Sequence, residues 1–111
     1  MSTVIVLKQN TMGNGDDILG EKLIGAFLKK LWIKKEKPET IVLYNAGVKL
    51  VSNESPYLDA LSGLEEAGVE IIACGTCLDF FNIEGELKVG RRSDMVEIVD
   101  TMMSADKTIT I

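Results

Sequence analysis

The chain has 111 residues, a formal net charge of −5, no histidine and two cysteines, and 46% of it is hydrophobic. That length suits a single domain, residues 1–111, around one core. An acidic balance argues against nucleic acid as a partner, which needs a clustered basic face. No stretch is apolar for long enough to predict a membrane span, so no membrane partner is expected.

In chain order, Met1-Ser2-Thr3 leads straight into Val4-Ile5-Val6-Leu7, a β-branched apolar run that predicts a strand. This start lacks the charged region and cleavage site of a signal peptide, so the expected address is cytoplasmic. After a turn-forming stretch from Asn10 to Gly15, Leu19, Leu23, Phe27 and Leu31 recur every four residues, flanked by Ile24 and Leu28. They predict a helix with Asp16 and Asp17 in its first turn. Lys29, Lys30, Lys34, Lys35 and Lys37 at its end suit the helix dipole.

Ile41-Val42-Leu43-Tyr44 predicts the second strand. Ser55 as N-cap and Pro56 as first helical residue open a second helix carrying Leu58, Leu61 and Leu64, and Gly68 stops it. Val69 to Ala73 is the third strand. From Phe80 to Arg92 the pattern is broken by Gly85 and Gly90, and only a short helix after Cys77 and a weak strand at Leu87-Lys88-Val89 are predicted. Ser93 is the expected cap of a last helix with inner residues Met95, Val99 and Met102, and Val96, Ile98 and Met103 beside them. Lys107 to Ile111 closes the chain as a strand.

Continuous apolar strands alternating with helices predict an α/β fold: a small, mostly five-stranded parallel sheet with right-handed crossovers and helices on both faces. In such a sheet, ligands and chemistry collect beyond the carboxyl ends of the strands. The loops expected there hold the unusual residues. Met12-Gly13-Asn14-Gly15-Asp16-Asp17 matches neither the P-loop nor the dinucleotide fingerprint, and reads as a turn with Asn14 or Asp16 as helix cap. Tyr44-Asn45-Ala46-Gly47-Val48 either satisfies its own turn or aims the Asn45 amide into a site.

Cys74-Gly75-Thr76-Cys77 is the sharpest feature. Cys74 ends a strand and Cys77 is expected to begin a helix, near unpaired backbone N–H groups that stabilise thiolate. Gly75 leaves room for a substrate. A zinc site needs about four ligands, which this chain does not supply from Cys and His, so no metal and no cofactor is expected. A redox dithiol, a cysteine that carries sulfur as persulfide, and two small buried core residues remain as readings. The candidate site is thus Cys74 and Cys77 for chemistry, with Gly13, Asn45, Gly47, Gly75 and Thr76 around the substrate.

Several segments carry a resemblance: Asp16 to Gly20, Tyr44 to Leu50, Ala73 to Asp79, Lys88-Val89-Gly90, Asp94-Met95 and Ser104 to Lys107. In them the chain resembles the DsrE/DsrF-like family, most of all the C-terminal domain of YedF-type selenium-metabolism proteins. The resemblance implies sulfur relay, or by extension selenium, between donor and acceptor proteins. Cys74 matches the acceptor cysteine of relay members and Cys77 the second cysteine of the YedF-type pattern. Cys74 is then expected to take the persulfide and Cys77 to attack its inner sulfur, leaving a disulfide. A sulfurtransferase-like carrier is the leading expectation, and a redox dithiol module or a non-catalytic oligomeric binding domain are the alternatives. The TusA-like domain with Cys-Pro-x-Pro that commonly precedes YedF-type domains is not in this sequence, so a TusA-like protein is an expected partner. The family's habit of assembly, with Trp32, Tyr57, Phe80, Phe81 and Ile83 expected near the active edge, implies a homo-oligomer.

Overall fold

A computed structural model describes residues 2–111. Its elements are β1 (Thr3–Leu7), α1 (Asp17–Ile33), β2 (Thr40–Leu43), a 3₁₀ helix (Asn45–Val51), α2 (Leu58–Glu66), β3 (Glu70–Cys74), α3 (Gly75–Phe80), a 3₁₀ turn (Glu84–Glu86), β4 (Arg91–Ser93), α4 (Met95–Ser104) and β5 (Lys107–Thr110). The strands form one five-stranded sheet in the order β4-β3-β2-β1-β5, with every pair parallel. The α/β class, the parallel sheet and its helices are as the alternation of periods predicted.

Stepping from β1 to β4 always in one direction, right-handed crossovers put α1, α2 and α3 on the same face. The return from β4 to β5 across the sheet puts α4 on the other. Side-chain alternation along the strands then separates two cores. Ile5, Leu7, Ile41, Leu43, Ile71 and Ala73 meet Ile24, Leu28, Leu61, Leu64 and Leu78. Val4, Val6, Val42, Ile72 and Cys74 meet Ile98 of α4.

Five local expectations are corrected. The inner face of α1 is Gly20, Ile24, Gly25 and Leu28, while Leu19 and Leu23 are exposed. Gly20 rests against Thr11 and Gly25 under the Tyr57 ring, so the helix docks closely through small residues, while Phe27 and Leu31 stay partly buried on the core and the Leu19–Leu23 end of the stripe turns outward. α2 begins at Leu58, and Ser55 instead accepts from the Tyr57 N–H at 3.2 Å in the preceding turn. Asp94, not Ser93, caps α4 by accepting from the Glu97 N–H at 2.9 Å. Of that helix only Ile98 is buried, and Met95, Val96, Val99 and Met103 face solvent. Six large apolar residues in ten exceed what one helix face can hide against the thin strip of sheet beneath.

The fifth correction concerns the weak strand. Leu87 makes a single antiparallel bridge to Ser52, and the fourth strand of the sheet is Arg91–Ser93. Polar residues form it because it is an edge strand held from its sides. Arg91 joins Glu70 of β3 (2.6 Å) to Glu97 of α4 (2.6 and 2.8 Å), and Arg92 joins Asp79 of α3 (2.9 Å twice) to Glu84 (3.1 Å). Asp16 caps α1 through the Leu19 N–H at 2.9 Å, one of the two caps weighed for that loop.

Candidate functional site

β3 ends at Cys74, whose strand position pairs with Ser93 of β4. The alternation that buries Ile72 under α4 also sends the Cys74 side chain there, leaving the residue 3% exposed among Val4, Val6, Val42 and Ile98. Cys74 precedes α3 but makes no side-chain capping bond. Cys77 does not begin the helix as expected. It is the third residue of α3, half-buried, and it touches both cores at the carboxyl edge of the sheet.

The 3₁₀ helix after β2 supplies the partner of Cys77. Asn45 adopts φ 51°, a left-handed conformation that asparagine tolerates better than other side chains. In that conformation its backbone N–H donates to Cys77 Sγ at 3.0 Å. The Asn45 side chain does not reach the thiols: its Oδ1 accepts from the Ala46 N–H at 2.8 Å and so steadies the turn. Of the two ways of reading Asn45 in the sequence, the side chain follows the first: it satisfies its own turn, and the backbone is what meets Cys77.

Burial raises the Cys77 pKa above the ordinary thiol value, the Asn45 N–H opposes that shift, and the neighbouring Cys74 thiol adds to it. The two cysteines lie near each other, Cys74 inside the core and Cys77 packed against the same cluster at its rim. A vicinal pair so placed can share or exchange a sulfur–sulfur bond.

The other predicted residues divide. Gly47 is buried where the 3₁₀ helix crosses the end of β1, and a Cβ there would stand 2.1 Å from the Leu7 carbonyl oxygen, so its role is close packing. Gly75 lies under the Arg92 guanidinium, 2.7 Å from where a Cβ would be. Thr76 is exposed beside Cys77 in the chain. Gly13 is exposed at φ 84° in the loop after β1, with open space around it. All these loops follow the carboxyl ends of parallel strands, but direct contact with the cysteine pair is made by Asn45.

Arg92 and Asp79 were not singled out in the sequence. Their two parallel N–H···O bonds of 2.9 Å pin α3, which carries Cys77, to β4. Arg92 holds the Asp79 carboxyl below its usual range. No local spacing announces a pair thirteen residues apart on different elements. Among the described residues no cluster of His, Cys, Asp and Glu suits a metal ion.

The aromatic residues expected at this edge also divide. Tyr57, Phe81 and Ile83 line one cleft of about 440 Å³, and Lys49 lies 4.4 Å over the Phe81 ring. Phe80, 82% exposed, packs edge-on against Phe81 with 5.3 Å between ring centroids. Trp32 lies across Gly63 of α2, near the end of α1 that leads to the amino ends of the strands, away from the cysteines.

The family model described as "DsrE/DsrF-like family" matches residues 11–111. Three solved structures share the fold. One is the ychN protein of E. coli, 19% identical over all of both chains, TM-score 0.68. A second is MTH1491 of Methanobacterium thermoautotrophicum, a protein of unknown function, 23% identical over 99% of this chain and 98% of that one, TM-score 0.71. The third is BT1422 of Bacteroides thetaiotaomicron, also of unknown function, 17% identical over 99% and 95%, TM-score 0.63. No curated protein matches significantly.

Proposed function

From the premise that this chain belongs to the DsrE/DsrF-like family, we propose that it is a sulfur-relay protein that carries persulfide sulfur on the Cys74–Cys77 pair. The observation that supports this most is the Asn45 N–H on Cys77 Sγ, with buried Cys74 in the cluster behind it. A backbone donor aimed at sulfur favours the anionic form that attacks a sulfur–sulfur bond and that leaves when the bond breaks.

The chemistry balances without a cofactor. A thiolate of the pair attacks the outer sulfur of a donor persulfide, the donor's sulfur–sulfur bond breaks, and the donor departs as a thiol. An acceptor thiolate then takes that outer sulfur and restores the thiolate. When no acceptor is present, the second thiol attacks the inner sulfur, releases hydrosulfide and closes a Cys74–Cys77 disulfide. A dithiol reductant is then needed to reopen it.

Selenium as cargo, the closer kinship with YedF-type domains, a TusA-like partner and a cytoplasmic address belong to the same proposal. Among the described residues no helix is long and apolar enough to cross a membrane. Self-association belongs to it as well: α4 turns Met95, Val96, Val99 and Met103 outward, a surface that a second copy would cover.

Intact mass after incubation with a persulfide donor tests the reading. The wild type should gain one sulfur or lose two hydrogens to a disulfide, and the double variant Cys74→Ala/Cys77→Ala should do neither. Disulfide formation with an oxidant but no sulfur gain or hydrosulfide release with several donors would favour the redox dithiol instead.

A further inference from the structure

We infer that Cys77, not Cys74, receives the incoming sulfur, held for attack by the Asn45 backbone amide, and that Cys74 is the buried thiol that resolves it. This division of labour rests on the relay reading and reverses the order expected from the sequence.

Access comes first. Attack on a sulfur–sulfur bond requires the thiolate, the attacked sulfur and the departing sulfur to align, so the donor must reach the nucleophile. Cys74 is 3% exposed and faces α4 across Val4, Val6, Val42 and Ile72. Reaching it from solvent means lifting Ile98 and the helix that carries it. Cys77 stands at the rim, and Asn45, its hydrogen-bond partner, is exposed. Partly exposed Cys77 is therefore met by a donor more readily than Cys74.

Charge comes second. The Asn45 N–H is fixed before the donor arrives, because the left-handed turn and the Asn45 Oδ1 bond to Ala46 hold it. It stabilises negative charge on Cys77 Sγ both when that thiolate forms and when it is restored on delivery. Cys74 has the complementary position. It belongs to the core cluster that Cys77 packs against, close to what becomes the inner sulfur of a Cys77 persulfide, so it needs no access to solvent to resolve it.

The steps then follow in order. Cys77 thiolate bonds to the outer sulfur of the donor persulfide, and the donor thiolate leaves and takes up a proton. An acceptor thiolate attacks that outer sulfur and returns Cys77 to thiolate. Without an acceptor, Cys74 loses its proton and bonds to Cys77 Sγ, hydrosulfide leaves, and a dithiol reductant later restores both thiols.

A small aromatic disulfide tests the order independently of any sulfur cargo. Wild-type protein should release two equivalents of aromatic thiol, the second as Cys74 closes the internal disulfide. Cys74→Ala should release one and stall as a mixed disulfide on Cys77, and Cys77→Ala should react at least about tenfold more slowly in its folded state. The Cys77 reaction should shift to higher pH in Asn45→Val, which resists the left-handed turn, and keep its profile in Asn45→Gly, which accepts it. Equal or faster reaction of folded Cys77→Ala would overturn the order. A persulfide donor used in parallel separates the two readings: if the order holds with the aromatic disulfide but no form gains sulfur, the relay reading fails and the order stands.

Discussion

The two faces of the sheet are built differently. Under α1 and α2 the core is deep: large aliphatic side chains of three strands meet Ile24, Leu28, Leu61 and Leu64, all fully buried. Under α4 it is shallow, with Ile98 as the one buried helix residue over four strand aliphatics and Cys74. Stability is concentrated on the first face. The second holds Cys74 under a helix with a single buried residue, and segments with so few buried contacts open at smaller free energy.

Truncating the deep face should have the largest effect. Leu61→Ala removes a fully buried side chain and should destabilise by about 2–5 kcal/mol in chemical denaturation, with Cys74 still protected from alkylation while the protein is folded. Ile98→Ala should lower global stability by about 2–4 kcal/mol and also raise alkylation of Cys74 in the folded state. If both variants leave Cys74 equally protected, the contrast between the faces is wrong.

A smaller effect sharpens the contrast at the shallow face. Arg91, then Ser93, hold the Glu97 carboxyl down to about 2 from 4.5. A depressed carboxylate adds stability above its unfolded pKa and loses it as pH falls through the folded value. The loss should therefore run from about 4.5 down to about 2. Glu97 is partly exposed, so its share is under about 1 kcal/mol after screening by solvent. Unfolding midpoints measured across that range should fall for wild type and fall less steeply for Glu97→Gln.

The smallest effect on stability belongs to the outward side of α4. Met103→Lys, at an 82% exposed position, should change stability by no more than about 0.5 kcal/mol. It should reduce the particle mass in light scattering if copies pair through that helix. A wild-type mass near 12.1 kDa at micromolar concentration would remove the proposed self-association.

What the sequence disclosed follows the same physics. Val4 to Leu7 and Ile41 to Leu43 were legible because strands covered on both faces read as unbroken apolar runs, and Val69 to Ala73 because only Glu70, exposed at the start of β3, interrupts one. The cysteine pair was legible from its spacing alone. β4 was not, since Arg91-Arg92-Ser93 is an edge strand held by ion pairs to residues distant in the chain. The face of α4 was hidden by an excess of apolar residues, and that of α1 by leucines that outshine the glycines it docks with. Asn45 was visible as a turn residue. That its backbone, rather than its amide, meets Cys77 depends on a left-handed φ that no spacing encodes.

The relay itself is tested most directly by loading the reduced protein from a donor persulfide carrying radiolabelled sulfur, removing the donor, and adding a protein thiol acceptor. The account predicts label on the wild type, its passage to the acceptor as persulfide, and none of either in Cys77→Ala. Label that never enters the folded wild type, or that enters Cys77→Ala equally well, would contradict it.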